Sequence, residues 1–234
     1  MDPIALASFV SRELALRADP DDAGPMAAYM KTDMPFHGVK KAGREEVLRE
    51  VKARFAPKDR AELEAGIRAL WALPHREEKY LALAYGRRFH RLLTPDSLPL
   101  VETLIREGGW WDLVDEVAAN LLGSLWRRFP EAIAPLMDLW IEDDDLWIRR
   151  AAVLGQLKHK EATDTKRLLR YCLLRMHERE FFMRKAIGWA LRQHSHVDPG
   201  LVITFLEEHR DELSGLSFRE GAKALRRQGL FPES

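Results

Sequence analysis

Apolar residues recur at three- and four-residue spacing along almost the whole chain, and the alternation expected of strands is scarce. Proline punctuates that pattern without breaking it. Pro20, Pro74, Pro95, Pro130 and Pro199 fall between the periodic stretches, where proline starts a helix. Thr94-Pro95 and Asp198-Pro199 read as an N-cap followed by a first helical residue. The pattern predicts helices near 3–17, 24–31, 42–54, 60–71, 75–89, 95–107, 110–127, 130–141, 145–157, 163–176, 180–194, 199–210 and 217–227. Connections are short and no Gly/Ser linker divides the chain, so neighbouring helices are expected to pack antiparallel in a single all-α domain spanning 1–234.

Pairs of such helices repeat about every 35–45 residues, within the range of HEAT and armadillo repeats. Segments 130–158 and 163–194 share a plan of polar entry followed by an apolar run carrying arginines. Stacked helix pairs form a solenoid whose concave wall binds elongated partners, and most such solenoids are protein scaffolds.

Composition narrows the class. With 46% hydrophobic and 32% charged residues, the 234-residue chain can fill a core and is no disordered tail, fibre or disulfide miniprotein. Cys172 is the one cysteine, which excludes an internal disulfide and a thiolate zinc cluster and fits a reducing compartment. There is no apolar stretch long enough to span a bilayer, and the N-terminal segment, with Asp2, Arg12, Glu13 and Arg17, does not read as a signal peptide. A cytoplasmic protein that makes no membrane contact is expected.

Lys plus Arg and Asp plus Glu each number 37, so the formal charge is zero, yet it is zoned. Glu107–Asp145 holds ten acidic and two basic residues, whereas Leu146–Ser195 holds twelve basic and four acidic. A basic edge along consecutive helices would concentrate a polyanion despite the zero sum, while a neutral surface with uneven charge is the plainer alternative.

Three stretches carry candidate chemistry. In Gly108-Gly109-Trp110-Trp111-Asp112-Leu113-Val114-Asp115, Trp111 and Asp115 are one helical turn apart and share a face, while Trp110 is expected in the core with Val114 and Leu121. Burial of Trp111 with an exposed Asp115 is the competing reading. Asp112 suits the positive end of the helix. In Asp145-Leu146-Trp147-Ile148-Arg149-Arg150, Asp145 can cap and Arg150 falls at the apolar edge, where it needs either an acid such as Asp115 or a phosphate. Phe182, Lys185, Trp189 and Arg192 form a helical stripe of aromatic and cationic groups, suited to a polyanion or else to core packing with snorkelling cations. Gly188 within that stripe implies close approach of another backbone.

No Gly-rich phosphate loop or His-Glu-x-x-His is present, and the run Glu142–Asp145 lacks the ligand spacing of a calcium loop. His194-Ser195-His196 reads as favourable charge at a helix C-terminus. No metal or other cofactor is expected.

Read in order, Tyr29-Met30-Lys31, Pro35-Phe36-His37-Gly38-Val39-Lys40, Trp71-x-Leu73-Pro74-x-Arg76-Glu77, Trp110-Trp111-Asp112-x-Val114-Asp115, Trp147-x-x-Arg150-Ala151-Ala152 and Phe181-Phe182-x-x-Lys185-Ala186-Ile187-Gly188-Trp189-x-Leu191-Arg192 resemble the AlkD-like DNA alkylation repair glycosylases, from about residue 26 to 229. The resemblance implies a HEAT-like α-α superhelix with a concave DNA-binding groove, and a monofunctional glycosylase that excises 3-methyladenine and 7-methylguanine from duplex DNA in base excision repair. It implies Asp115 as catalytic carboxylate, with Trp111 and Trp189 as the aromatic pair at the lesion's deoxyribose. Arg150 would meet the DNA backbone and Tyr29 the N-terminal edge of the groove, with Lys40, Lys185 and Arg192 as further DNA contacts. It implies a monomer that works at the nucleoid without cofactor. Gly108-Gly109 departs from the family pattern. A non-catalytic DNA-binding HEAT protein and a protein-interaction scaffold are the alternatives.

Overall fold

The computed structural model describes residues 1–232, and every regular element among them is helical. The chain forms two compact units, Met1–Leu100 and Val101–Ser234. No helix is long and apolar enough to cross a membrane.

The first unit contains α1 (Pro3–Ala15), α2 (Pro20–Met30), α3 (Lys41–Arg54), α4 (Arg60–Trp71) and α5 (Arg76–Arg88). α1 packs on α3, α4 and α5, burying Leu6, Val10, Leu14, Leu63, Ile67 and Leu70. α2 begins earlier than the apolar pattern predicts. Asp19 accepts the Asp21 N–H and Pro20 takes the first helical position, so the cap and not the periodicity sets its start.

The start of α5 is unusual because Arg76, Glu77 and Glu78 are all buried. Glu77 accounts for its burial by accepting three backbone N–H groups, those of His37, Gly38 and Val39, at 2.9–3.0 Å. Two motifs far apart in sequence, Pro35–Lys40 and Trp71–Glu77, are thereby fastened together.

α6 (Leu98–Gly108) starts just before the division, and most of it belongs to the second unit. That unit also contains α7 (Trp111–Glu116), α8 (Gly123–Arg128), α9 (Pro130–Trp140), α10 (Leu146–Leu154), α11 (Thr165–Arg175), α12 (Phe181–His194), α13 (Pro199–Glu208) and α14 (Gly215–Arg227). The helix expected over 110–127 is continuous only in outline. A π-helical stretch, Val117–Leu122, joins α7 to α8, and Trp110 lies outside as the N-cap. Short 3₁₀ turns at His90–Leu92 and Lys160–Ala162 fill connections that periodicity cannot register, and the helix expected from 95 opens with a third, Pro95–Ser97, before α6.

α12 lies against α10, α11, α13 and α14. Gly188 permits the contact with α14: a Cβ there would stand 2.5 Å from the Glu220 Cβ and 2.8 Å from the Ser217 carbonyl oxygen. His194 departs from expectation. It is buried at the end of α12, and desolvation pushes its pKa down, which works against a terminal charge there. Cys172 is buried too, its thiol pushed up to about 12 by desolvation, which leaves it unreactive.

The acidic and basic zones of the sequence meet inside this unit. Asp138 on α9 receives both nitrogens of the Arg167 fork at 2.8 and 3.0 Å, the Tyr171 hydroxyl at 2.6 Å, and Arg170. Arg149 forks onto Glu178, and Arg175 reaches Glu142. The run Glu142–Asp145 is consequently no metal loop: Asp143 is bound by Arg106 and Asp145 caps α10.

Two outcomes follow. Arg167, followed by the Tyr171 hydroxyl, holds the Asp138 carboxyl well below the usual range against the opposing effect of burial. The unfolded chain therefore binds a proton more readily than the folded one, so this group's stabilisation is complete above about pH 4 and lost as pH falls. Thermal melts from pH 2 to 7 should show a shallower acid limb in Asp138→Asn than in the wild type. Gly188→Ala should lower stability by about 1–3 kcal/mol in denaturant titrations, because overpacking against α14 exceeds the gain in helix propensity.

Candidate active site

Local sequence sets up the two helices that build the site. α6 ends at Gly108, and Gly109 leaves it in the left-handed region at φ +48°. Trp110 follows in extended conformation and α7 begins at Trp111. The Gly-Gly pair thus makes a sharp exit that presents the tandem tryptophan at a helix start. Asp145 accepts the Trp147 N–H at 2.7 Å and so fixes the start of α10.

Trp110 does not enter the core with Val114 and Leu121 as the helical spacing predicts. As the cap residue it turns aside and lies half-buried against Trp147 and Phe182, with ring centroids 5.9 and 5.2 Å away. Trp147 and Phe182 are 5.1 Å apart, which closes an aromatic triangle among α7, α10 and α12.

Beside it sits the ion pair that the sequence left open. Arg150 is 3% exposed. Its Nε and Nη2 donate to the two carboxylate oxygens of Asp115, each at 2.8 Å, and its Nη1 donates to the Phe182 carbonyl. Of the two partners open to Arg150, the acid is the one in place. Burial pushes the Asp115 carboxyl up from the ordinary aspartate range, Arg150 pulls it back, and nearby Asp112 adds to the rise. The carboxylate is thus desolvated, and one guanidinium orients it and opposes the effect of burial.

Trp111 precedes Asp115 by one turn of α7, as the spacing predicts, and its ring is half-buried. Trp189 is half-buried on α12, and neither ring stacks on another aromatic among the described residues. The cationic stripe is less free than its sequence implies. Lys185 lies 2.8 Å from Glu220, and Arg192 binds the other oxygen of the same carboxylate. Burial opposes ionisation of Glu220, but the two cations hold its pKa below the usual value. Glu220 belongs to α14, whose helical pattern gives no hint of this pairing.

Tyr29 and Lys40 belong to the first unit. Tyr29 is 74% exposed at the end of α2, and Lys40, before α3, pairs with Asp22 at 2.6 Å. Sequence reasoning missed Trp147 and Phe182 as the aromatic support of the site, and Glu77 and Glu220 as acids that fix backbone and cations. Trp147, Phe182 and Glu77 lay within motifs singled out in the sequence, whereas Glu220 lay in none.

Comparison with known proteins agrees with this arrangement. Residues 10–225 match the family described as DNA alkylation repair enzyme. Nothing among curated proteins matches the sequence. The solved structure of a predicted DNA alkylation repair enzyme from Enterococcus faecalis is similar over 89% of this chain and 97% of that one, with 28% identity and a TM-score of 0.81. With a match across most of its length and the same helical fold, the chain belongs to the DNA alkylation repair enzyme family.

Proposed function

We propose that this protein is a monofunctional DNA glycosylase that removes cationic alkylated purines, 3-methyladenine and 7-methylguanine, from duplex DNA in base excision repair. The observation that carries the reading is the Asp115 carboxylate, oriented by Arg150 and one helical turn from Trp111. An N-alkylated purine already bears positive charge, so it departs with the electrons of the glycosidic bond and needs no general acid. The sugar left behind is an oxocarbenium-like cation. A desolvated carboxylate stabilises that charge, and the faces of Trp111 and Trp189 add to it. Water then adds at the anomeric carbon and loses a proton. No amine attacks the sugar, so the product is an intact abasic strand.

In this reading Arg150 holds Asp115 ionised and aimed. Lys185 and Arg192 of the second unit and Tyr29 and Lys40 of the first contact the DNA, and 1–234 works as one domain, monomeric and cytoplasmic. The family match running from residue 10 to 225 supports treating 1–234 as a single functional body. No cofactor enters the chemistry.

The test is release of free 7-methylguanine from methylated duplex DNA. Asp115→Asn should slow release by about 10²–10³-fold while duplex affinity is retained. Because Asn leaves Arg150 half-satisfied, the variant should also melt lower, and rates are compared below its melting range. Wild-type-like release by the folded variant would sink the mechanism. Since the reactive form is the ionised carboxylate and burial raises its pKa, the acid limb of the rate profile should lie above that of an ordinary aspartate.

DNA affinity gives a separate expectation. Lys185→Ala should weaken duplex binding and reduce the salt slope by about 1. Glu220→Gln, which frees Lys185 and Arg192, should strengthen binding. Unchanged affinity in both variants would favour the scaffold reading.

A further inference from the structure

Within the first unit, His37, His75 and Glu78 converge although His37 and Glu78 are 41 residues apart in sequence. One nitrogen from each ring and a carboxylate oxygen all lie within 4.8 Å of one another. We infer that this cluster is a divalent transition-metal site, of the kind that takes Zn²⁺ through two imidazoles and one carboxylate.

Spacing is the first argument. His37 Nε2 lies 3.5 Å from Glu78 Oε1, and His75 Nδ1 lies 3.6 Å from Glu78 Oε2. These separations are at or beyond the limit of a hydrogen bond. The first of them, to the oxygen free to ligate, is close to the ligand-to-ligand edge of about 3.3–3.4 Å that a tetrahedral ion sets with bonds of about 2.0–2.1 Å.

The second argument is unmet bonding capacity. His75 Nδ1 is buried and faces the Glu78 backbone N–H at the start of α5 without completing a hydrogen bond. Glu78 is fully buried, and no lysine or arginine is paired with its carboxylate among the ion pairs of the described residues. The two imidazoles stack at 3.7 Å with a 22° tilt, which brings both rings to the same carboxylate. A cation shared by the two rings and the carboxylate would satisfy all three groups at once.

The third argument is preorganisation. Glu77 clamps the segment that carries His37 through the backbone N–H groups of His37, Gly38 and Val39, and Glu78 Oε2 accepts the His75 backbone N–H at 2.7 Å. Glu78 can ligate through Oε1 while keeping that bond. The nearly parallel stack does not yet aim both lone pairs at one point, so capture tilts the rings apart about their side-chain torsions. The His75 side chain is 29% exposed, which supplies the entry path and leaves a fourth position for water. The ion would staple the Pro35–Lys40 segment to the start of α5. The chemistry at Asp115 does not pass through it.

The experiment uses untagged, chelator-treated full-length protein titrated with Zn²⁺ by calorimetry, and with Co²⁺ by visible absorption. One equivalent should bind, four-coordinate cobalt bands should appear, and the melting temperature should rise with Zn²⁺ and fall back with chelator. His37→Ala and His75→Asn should each weaken zinc binding by more than the ~10–100-fold typical of losing an outer-shell partner. Their metal-free melts report whether they fold. Absence of stoichiometric binding by the wild type, or binding that both folded variants retain, overturns the site.

Discussion

A guanidinium taken out of water must be met on every donor it cannot leave solvated, and Arg150 imposes that demand on three helices. It is carried by α10, forks onto Asp115 of α7, and spends its remaining Nη1 on the Phe182 carbonyl of α12. Removing one member of such a pair typically costs about 3–5 kcal/mol, because the other is left buried and charged. The geometry of Asp115 is therefore tied to the packing of the unit. The aromatic triangle of Trp110, Trp147 and Phe182 walls the pair and lowers the local dielectric, which strengthens both the pairing and any charge stabilisation the carboxylate offers.

The zoned charge has the same logic on a larger scale. A segment of twelve cations following a segment of ten acids looks, in one dimension, like a basic surface beside an acidic one. In the folded unit many of these charges are spent on each other, as at Arg150–Asp115, Arg167–Asp138 and Arg175–Glu142. What remains for a polyanion is a smaller set, including the exposed Lys158, Lys160, Lys166 and Arg179 and the two cations sharing Glu220. Under the proposed function, affinity for DNA would depend on how readily Glu220 releases Lys185 and Arg192 to phosphate.

Helix existence was legible because burial of one face enforces a 3.6-residue period, and that signal is strong in segments such as 60–71 and 199–210. The i,i+4 relation of Trp111 and Asp115 was legible for the same reason. What periodicity could not show was anything set by a cap or by a distant partner. Asp19-Pro20 starts α2 where no apolar stripe exists, and no residue of α2 is buried. Trp110 sits one residue outside its helix, so its expected direction was wrong. Glu220 and Glu78 act on residues more than twenty-five positions away, a distance at which sequence pattern carries no contact information.

The π-helical stretch after Asp115 is the least legible feature, since one turn of wider hydrogen bonding leaves no compositional mark. Widening the helix disturbs the regular carbonyl ladder, and here Asn120 Nδ2 donates to the Glu116 carbonyl at 3.1 Å while its Oδ1 accepts from Lys158 at 2.5 Å. The change of register lies between two demands on one continuous run of chain. α7 must present Asp115 to Arg150, and α8 must bring Gly123 against α10, where an added Cβ would stand 2.6 Å from the Gly155 carbonyl oxygen. A uniform α-helix advances its faces by a fixed 100° per residue, so it meets both demands only if their spacing happens to suit. A single π turn shifts the later residues relative to the earlier ones, which lets the carboxylate and the close backbone approach be satisfied together.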